Sequence, residues 1–334
     1  YFKRFSNNSI FVKTGDIPDM WIRDSTAQVW PLRNDGPFVE KVLNMQSFFI
    51  LQDPYANSYR DHEVKSPTLS DSNLDRAGWV ATRNYELDSG CYFIRLLYYA
   101  WKHHDLSVQK YRQTVETLVN TWKTEQHHEE KSQYRYVELP RNGLGTPVTW
   151  TGMTWSGFRP SDDACTYGYH IPSNLFAAYE LTHVVNMFPD MVSAKVLSND
   201  IYRGVQKHGT WSDQDGVVRY CYEVDGLGGC NKMDDANVPS LLSIPYFTET
   251  RTNSNSLHIL ISGPPRSGTT LFGEMINVGL TNSEIVFELT NPDQKVPCQF
   301  GTPRPHSLKR TDDVADLNQD DEWWKYVQNV LDNC

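Results

Sequence analysis

The sequence has no apolar run near the roughly 20 residues that a membrane-spanning helix needs, so we expect no membrane span. Acidic residues outnumber basic ones by 41 to 31, and the formal net charge of −10 disfavours a nucleic-acid partner held by clustered Lys and Arg. The six cysteines include no C-x-x-C pair and no His at zinc spacing, which predicts no metal site. With 39% hydrophobic and 22% charged residues the composition is globular, and a neutral, hydroxyl-rich ligand is the most natural partner.

The sequence does not indicate a cellular compartment. The chain begins at Tyr1 without Met or a signal peptide, so we interpret it as a piece of a longer protein. One sequon, Asn7-Asn8-Ser9, is compatible with the secretory pathway or an extracellular location, but such triplets also arise by chance.

Carboxylates, aromatic rings, an Arg and a His are concentrated between Thr151 and Asn174, in TGMTWSGFRPSDDACTYGYHIPSN. Aromatic faces can stack on sugar rings, and glycosidic bond cleavage needs paired acidic groups. The simpler alternative is that Ser161, Asp162 and Asp163 open a helix, because Ser and Asp cap free N–H groups. Both interpretations are kept, since a capping turn can also direct a second carboxylate into a cleft.

Apolar periodicity predicts helices that are joined by short loops and pack as antiparallel hairpins. The predicted helices are 38–51, 85–104, 106–129, 172–188 and 191–208. Because they are apolar on more than one face, we predict a mainly α, two-layer shell. Alternation over 217–222, followed by Gly226, Gly228 and Gly229, predicts a short β-hairpin beside the site.

Polar clusters open the apolar runs at 19–25, 84–89, 161–174 and 233–239. Loops at one end of a helical shell would bring these clusters together. In the first cluster, Arg23 can form a structural ion pair with Asp24 or Asp19, or it can bind sugar hydroxyls beside Trp21. For His170, His183 and the pair His127-His128, a structural or surface role is more natural than metal binding.

Four long motifs, in this order, resemble glycoside hydrolase family 125, the metal-independent exo-α-1,6-mannosidases with an (α/α)6 barrel. The motifs are FVKTGDIPDMWIRDSTAQVWPL, RNYELDSGCYFIRLLYYAWK, TGMTWSGFRPSDDACTYGYHIPSN and MDDANVPSLLSIPYF. The resemblance runs from about Asn8 to Phe247 and implies an α-mannoside oligosaccharide substrate, no cofactor and a barrel that is incomplete here.

The resemblance also implies an inverting mechanism, in which an acid protonates the leaving oxygen and a base roughly 6.5–9.5 Å away activates water. The family's acid falls on Asp162 or Asp163. The family's base is a glutamate in a later part of the barrel, and nothing after Phe247 resembles that part, so we expect this chain to lack its base and to be inactive alone. The expected sugar contacts are Trp21, Arg23, Asp24, Glu86, Asp88, Trp155, Arg159, Tyr167, His170, Asn174, Asp234, Asp235 and Asn237.

The composition changes after a polar linker at 248–256, which divides the predicted domains into 1–247 and 257–334. A strand at 257–262, a Gly-bounded loop and a helix at 271–278 have the order of a phosphate-binding loop. PPRSGTTL resembles the 5′-phosphosulfate loop of sulfotransferases, which implies that a short α/β P-loop-like fragment binds the sulfate donor PAPS. The phosphate contacts would be Arg266, Ser267, Gly268, Thr269 and Thr270. A plain strand–turn–helix is the alternative. The tail is predicted to be irregular at 292–321, with a last helix at 322–331.

Three hypotheses follow. The first is a glycosidase with Asp162 or Asp163 as its acid. The second is a PAPS-dependent carbohydrate sulfotransferase whose mannosidase-like part binds glycan. The third is a non-catalytic fusion of two incomplete domains.

Overall fold

The computed structural model describes residues 2–65 and 78–248, together with the backbone of two strands near 280. The helices are α1 (Ile22–Val29), α2 (Gly36–Gln52), α3 (Leu87–His104), α4 (Arg112–Glu125), α5 (His128–Lys131), α6 (Pro140–Gly143), α7 (Ile171–Met187), α8 (Val192–His208) and α9 (Ile244–Phe247), with 3₁₀ turns at Trp30–Leu32 and Val108–Tyr111. The strands are β1 (Phe2–Phe5), β2 (Ser9–Val12), β3 (Met20–Trp21), β4 (Ser58–Val64), β5 (Gly78–Thr82), β6 (Tyr169–His170), β7 (Thr210–Ser212), β8 (Val218–Tyr220), β9 (Glu223–Val224), β10 (Cys230–Asn231), β11 (Met275–Thr281) and β12 (Glu284–Thr290).

Long helices form the core of the part up to residue 248, which confirms the predicted mainly α class. Helix α3 packs against α1, α2 and α7, and α7 packs against α8. The first part of α3 and most of α7 are buried on several faces, because these helices lie between other helices. The strands are short and flank the helix openings, in separate antiparallel pairs and two three-stranded sheets ordered β3-β4-β5 and β10-β9-β6.

Local chemistry fixes where two of these helices begin. The Asp35 side chain accepts a hydrogen bond from the Phe38 N–H at 3.0 Å, and Pro37 occupies the first turn of α2, where its missing N–H has no cost. Helix α7 has the same arrangement, with His170 as its cap and Pro172 in its first turn. Four of the five predicted helices are confirmed within two residues at each end.

The predicted helix at 106–129 is not one continuous helix, so that prediction is wrong. It is divided into a 3₁₀ turn, α4 and α5. Helix α4 ends at Glu125 because that buried carboxylate accepts hydrogen bonds from Tyr55, His128 and Ser132, which turns the chain back on itself.

The predicted hairpin at 217–222 has a different partner. Strand β8 pairs with β7 before it, while the three glycines belong to a second hairpin, β9–β10. Asp213 explains the first turn, since its Oδ1 accepts the N–H groups of Asp215 and Val217 and its Oδ2 binds Arg219. In the second turn, Asp225 accepts the N–H groups of Leu227 and Gly229.

The chain divides into two compact units, and the second unit contains the antiparallel pair β11–β12. A helix was predicted at 271–278, but β11 is a strand from Met275 onward, so that prediction is wrong there. The predicted linker beyond Thr248, the strand at 257–262, the phosphate loop, the tail and the last helix lie outside the described residues. The predicted domain boundaries stay a prediction.

A disulfide joins Cys221 to Cys230 across the β9–β10 hairpin, whereas Cys91 and Cys165 are free and buried. Replacing both bonded cysteines with Ala should lower the free energy of unfolding by about 2–3 kcal/mol, because the bond closes a short loop in the unfolded chain. Urea unfolding with and without reductant checks this. Reductant should destabilise the native protein and leave the double variant unchanged, and an equal effect on both would contradict the prediction.

Candidate active site

The segment from Gly157 to Cys165, which we call the Asp162 loop, is a narrow hairpin. The Arg159 N–H donates to the Asp163 carbonyl at 2.8 Å, and the Cys165 N–H donates to the Gly157 carbonyl at 2.9 Å. Asp162 lies at the tip with a left-handed φ of 64°, and it is exposed. Since no helix begins there, the alternative that Ser161, Asp162 and Asp163 cap a helix is wrong.

Asp162 faces a buried polar cluster that comes from three distant parts of the chain. Asn57 donates through Nδ2 to Glu86 Oε1 at 3.0 Å and to Asp162 Oδ1 at 3.2 Å. Arg23 Nη1 contacts Glu86 Oε2 at 2.5 Å and Asp88 Oδ2 at 3.1 Å. The opening of α1 supplies Arg23, and the opening of α3 supplies both acids of that pair. These residues form the carboxylate cluster.

The carboxylate cluster contains three carboxyl groups and one positively charged side chain. Burial raises the pKa of Glu86 well above its usual value, Arg23 opposes this rise, and Asp88 and a hydrogen bond with Asp162 add to it. Burial also raises the pKa of Asp88, again opposed by Arg23. One guanidinium cannot balance Glu86, Asp88 and Asp162, and two carboxyl groups within hydrogen-bonding distance cannot both be ionised at low cost. Burial and the neighbouring carboxylates therefore favour the protonated form of Glu86, which lies within hydrogen-bonding distance of Asp162.

A second polar cluster fixes the far end of the Asp162 loop. Arg159 donates to Glu223 through Nε at 2.6 Å and through Nη2 at 3.1 Å. Glu223 is fully buried on β9, the central strand of its sheet, and Arg159 is only 7% exposed. Burial raises the pKa of the Cys165 thiol, and the charges of Glu223 and, more weakly, Glu86 add to this rise.

Loop 233–239 borders the second cluster. Asp234 accepts the N–H groups of Leu241 and Leu242, and burial raises its pKa to about 6. Asp235 accepts both the N–H and the side-chain amide of Asn237. Asp234 and Asp235 are near enough to Tyr222 that their charges add to the effect of burial in raising the pKa of its hydroxyl.

Three predicted sugar contacts lie in the core, outside the two polar clusters. Trp155 is 1% exposed and stacks on the His128 ring at a centroid distance of 3.6 Å, so its faces are not available to a sugar. The Asn174 side chain bonds the Thr154 N–H, the Thr154 carbonyl and the His170 carbonyl. In sequence, a cluster of aromatic residues or an Asn at the start of a helix looks the same whether the side chains line a cleft or fill the core. The sequence alone therefore could not show that Trp155 and Asn174 are buried.

His170 is the third of these internal residues. It is fully buried, and its Nδ1 faces both the Ser173 hydroxyl at 2.7 Å and the Ser173 N–H at the start of α7. Burial, with a smaller contribution from Arg159, lowers its pKa from 6.5 to about 3. The folded protein therefore holds the imidazole neutral.

This burial predicts a loss of stability in acid. The contribution of His170 is complete above pH 6.5 and is lost as the pH falls from 6.5 toward 3, because the unfolded chain takes up the proton first. His170→Asn keeps a capping side chain but cannot titrate, so it should reduce the slope of stability against pH by up to about 1.4 kcal/mol per pH unit. Urea unfolding across this range measures the slope, and parallel curves for the two proteins would contradict the prediction.

Of the remaining predicted contacts, Glu86, Asp88 and Arg159 are buried in the two polar clusters, and the others are accessible to different degrees. Trp21, Arg23, Asp24 and Tyr167 are partly buried, and Asp24 lies 3.6 Å from Arg23 as the ion-pair alternative predicted. Sequence reasoning missed Asn57, Cys165 and Glu223 as site residues. For Asn57 and Cys165 no local signal exists, whereas Glu223 is a charged residue inside a strand-like run, which is rare unless it is paired.

The other predicted histidines have structural partners. His128 is buried and pairs with Glu125, and His183 pairs with Glu180 and stacks on Tyr98. Across residues 2–65 and 78–248, no three His, Cys, Asp or Glu side chains are grouped so that they could hold a metal ion. In the same part of the chain, none of the helices has the length and apolar character to span a bilayer.

Comparison with known proteins places this site in a family. The sequence profile of the family described as metal-independent alpha-mannosidase (GH125) matches residues 2–258. The meiotically up-regulated gene 157 protein of Schizosaccharomyces pombe is 33% identical, over 72% of this chain and 55% of that protein. A metal-independent alpha mannosidase of Streptococcus pneumoniae, solved as a non-productive complex with alpha-1,6-mannobiose, is 36% identical with a TM-score of 0.69, over 74% of this chain and 64% of that one.

The chain thus spans about half of the first relative and under two thirds of the second. The matched region contains the whole Asp162 loop and both polar clusters. By the extent of this match, the chain belongs to the GH125 family of metal-independent alpha-mannosidases.

Proposed function

We propose that this chain binds α-mannosides and supplies the proton donor of a glycoside hydrolase of the inverting, exo-α-1,6 type. The observation that carries the proposal is the contact of the exposed Asp162 with the buried Glu86 and Asn57. An acid in glycoside hydrolysis must hold a proton and reach the glycosidic oxygen. Asp162 can meet both needs, because it lies at an exposed tip within hydrogen-bonding distance of Glu86, the buried carboxyl that favours its protonated form.

Asp162 is the better candidate of the two neighbouring aspartates. Its side chain faces the carboxylate cluster, whereas the backbone carbonyl of Asp163 closes the hairpin by accepting from Arg159. In the proposed step, the bond between the anomeric carbon and the leaving oxygen breaks while that oxygen takes the proton from Asp162. A water bonds to the same carbon from the opposite face and loses its proton to the base that the resemblance places in a later part of the barrel. Arg23 and Asn57 keep Glu86 in place beside it.

The substrate class and the architecture rest on the relatives. The S. pneumoniae neighbour was solved in a non-productive complex with alpha-1,6-mannobiose, and its family of metal-independent alpha mannosidases bears on the processing of N-linked glycans, so α-mannose chains of that kind are the proposed substrate. We propose that α1 to α9 form part of an (α/α)6 barrel whose loop end carries the site. The base stays a prediction, as does the expectation that the chain is inactive without it.

The sulfotransferase hypothesis gains nothing from the described residues. Arg266, Ser267, Gly268, Thr269 and Thr270, which would bind PAPS, lie outside them. It therefore stays a prediction, to be tested by sulfate transfer from PAPS to a glycan, which Arg266→Ala should abolish.

Cleavage of an α-1,6-mannobioside, with the matching α-1,6-glucobioside as control, tests the proposed function. We expect cleavage of the first compound only and, if the base is missing as predicted, only when azide is added. Azide should also be added, because it can attack the anomeric carbon in place of activated water and give a β-mannosyl azide. If the base is missing, azide will stimulate cleavage strongly. The proposal would be contradicted if the mannobioside is not cleaved either with or without azide. It would also be contradicted if cleavage survives the combined change of Asp162 and Asp163 to Asn.

A further inference from the structure

Glu223 accepts more hydrogen bonds than any simple ion pair requires. Its Oε1 receives Arg159 Nε at 2.6 Å, and its Oε2 receives Arg159 Nη2, Asn231 Nδ2 and two backbone N–H groups. Those backbone groups belong to Thr166 at 3.1 Å and Tyr167 at 3.3 Å, directly after the Asp162 loop. One buried carboxylate thus binds the residue near the start of the loop and two residues after its end.

The position of Glu223 in the fold makes it a rigid anchor. It lies on β9 between β6 and β10, where His170 and Asn231 are its partners across the sheet. The Cys221–Cys230 disulfide closes the same hairpin on either side of it. Besides its own hairpin bonds and the Asn57 contact at its tip, the Asp162 loop is held at its start, where the N–H groups of Gly157 and Phe158 donate to the Tyr85 carbonyl.

We infer that Glu223, acting through Arg159 and the backbone of Thr166 and Tyr167, is a positioning residue that fixes Asp162 at the glycosidic oxygen. The expected effect on catalysis rests on the proposed function. The anchoring of the loop by Glu223 does not depend on that function. Misplacing a reacting group by about 1 Å can cost about 100-fold in rate, so an anchor of this kind is needed even though it never touches substrate.

Glu223→Gln is the informative change because it keeps the size and shape of the side chain. A glutamine has one acceptor oxygen and one NH2 donor, so it cannot satisfy both the Arg159 fork and the two backbone N–H groups. We expect kcat for α-1,6-mannobioside cleavage, measured with azide present, to fall about 100-fold while KM stays within about 3-fold. The matched control is Glu180→Gln, another fully buried, ion-paired glutamate, which should leave kcat unchanged.

Glu223→Gln leaves the buried Arg159 without a charged partner, which can destabilise that variant. Arg159→Lys is therefore a second variant, because it keeps the positive charge. A lysine is a point charge and cannot reproduce the two bonds of the guanidinium to Glu223. A lower kcat with unchanged KM supports positioning, whereas a raised KM with unchanged kcat would mean that Arg159 binds sugar directly and would overturn the inference.

Amide hydrogen exchange separates this inference from the proposed function. In Glu223→Gln, but not in Glu180→Gln, the N–H groups of Thr166 and Tyr167 should exchange at least about 10-fold faster. Unchanged exchange there overturns the inference whether or not the protein cleaves mannosides. Faster exchange with unchanged kcat in an active enzyme overturns the inference alone, whereas an inactive wild type contradicts the proposed function alone.

Discussion

Asp162→Asn should lower the cleavage of an α-1,6-mannobioside by about 100- to 10,000-fold, the range that general acid catalysis contributes. The amide cannot donate a proton of comparable acidity to the leaving oxygen. It still accepts a hydrogen bond from Asn57, so the fold and sugar binding should change little. Initial rates measured with and without azide check this, because azide can replace a base but not an acid.

Asp163→Asn is the matched control for that change. The two aspartates are adjacent, but the hairpin uses the backbone of Asp163, which the substitution keeps. We expect its rate to fall by less than about 10-fold. A larger loss in Asp163→Asn than in Asp162→Asn would reverse the assignment of the proton donor.

Arg23→Met should destabilise the fold by about 3–5 kcal/mol at neutral pH, the cost of leaving buried charges without their partner. Arg23 binds Glu86 and Asp88, both of which are at most 2% exposed. Without Arg23, their folded-state pKa values rise further above the unfolded ones. Relative to the wild type, the penalty is therefore full above the variant's raised folded-state pKa values. It shrinks as the pH falls through those values, because the carboxyls then become protonated in the folded state.

Urea unfolding at neutral pH and near pH 4 measures this effect. Arg112→Met, which removes an exposed pair with Glu116 and Asp190, is the control and should change stability little at either pH. An Arg23→Met penalty that is small at neutral pH, or that grows as the pH falls, would contradict the electrostatic account of the carboxylate cluster.

The helices were predictable because each has a local cause. Helix α2 shows a regular apolar period and a capping Asp35, and both features can be seen within a few residues of sequence. The gathering of Arg23, Glu86 and Asp88 was also expected, since each lies at the opening of an apolar helical run. The break after α4 was not, because it depends on Tyr55, which is 70 residues from the Glu125 that it contacts.

The site was only partly predictable for the same reason. Asn57 lies 105 residues from Asp162, and Glu223 lies 64 residues from Arg159, so composition and spacing could not pair them. Trp155 was expected in the cleft and is in the core, because a large aromatic ring suits either place equally well. The Cys221–Cys230 bond was likewise unpredicted, since six cysteines allow many pairings and only the β9–β10 register brings these two together.

The central claim is that Asp162 is the proton donor, and the leaving-group dependence of Asp162→Asn tests it most directly. An α-mannosyl fluoride needs no proton on its leaving group, whereas a mannobioside does. We predict that Asp162→Asn cleaves the fluoride within about 10-fold of the wild-type rate while losing at least about 100-fold on the mannobioside. Equal losses on both substrates would show that Asp162 does not act as the acid, and would contradict the account.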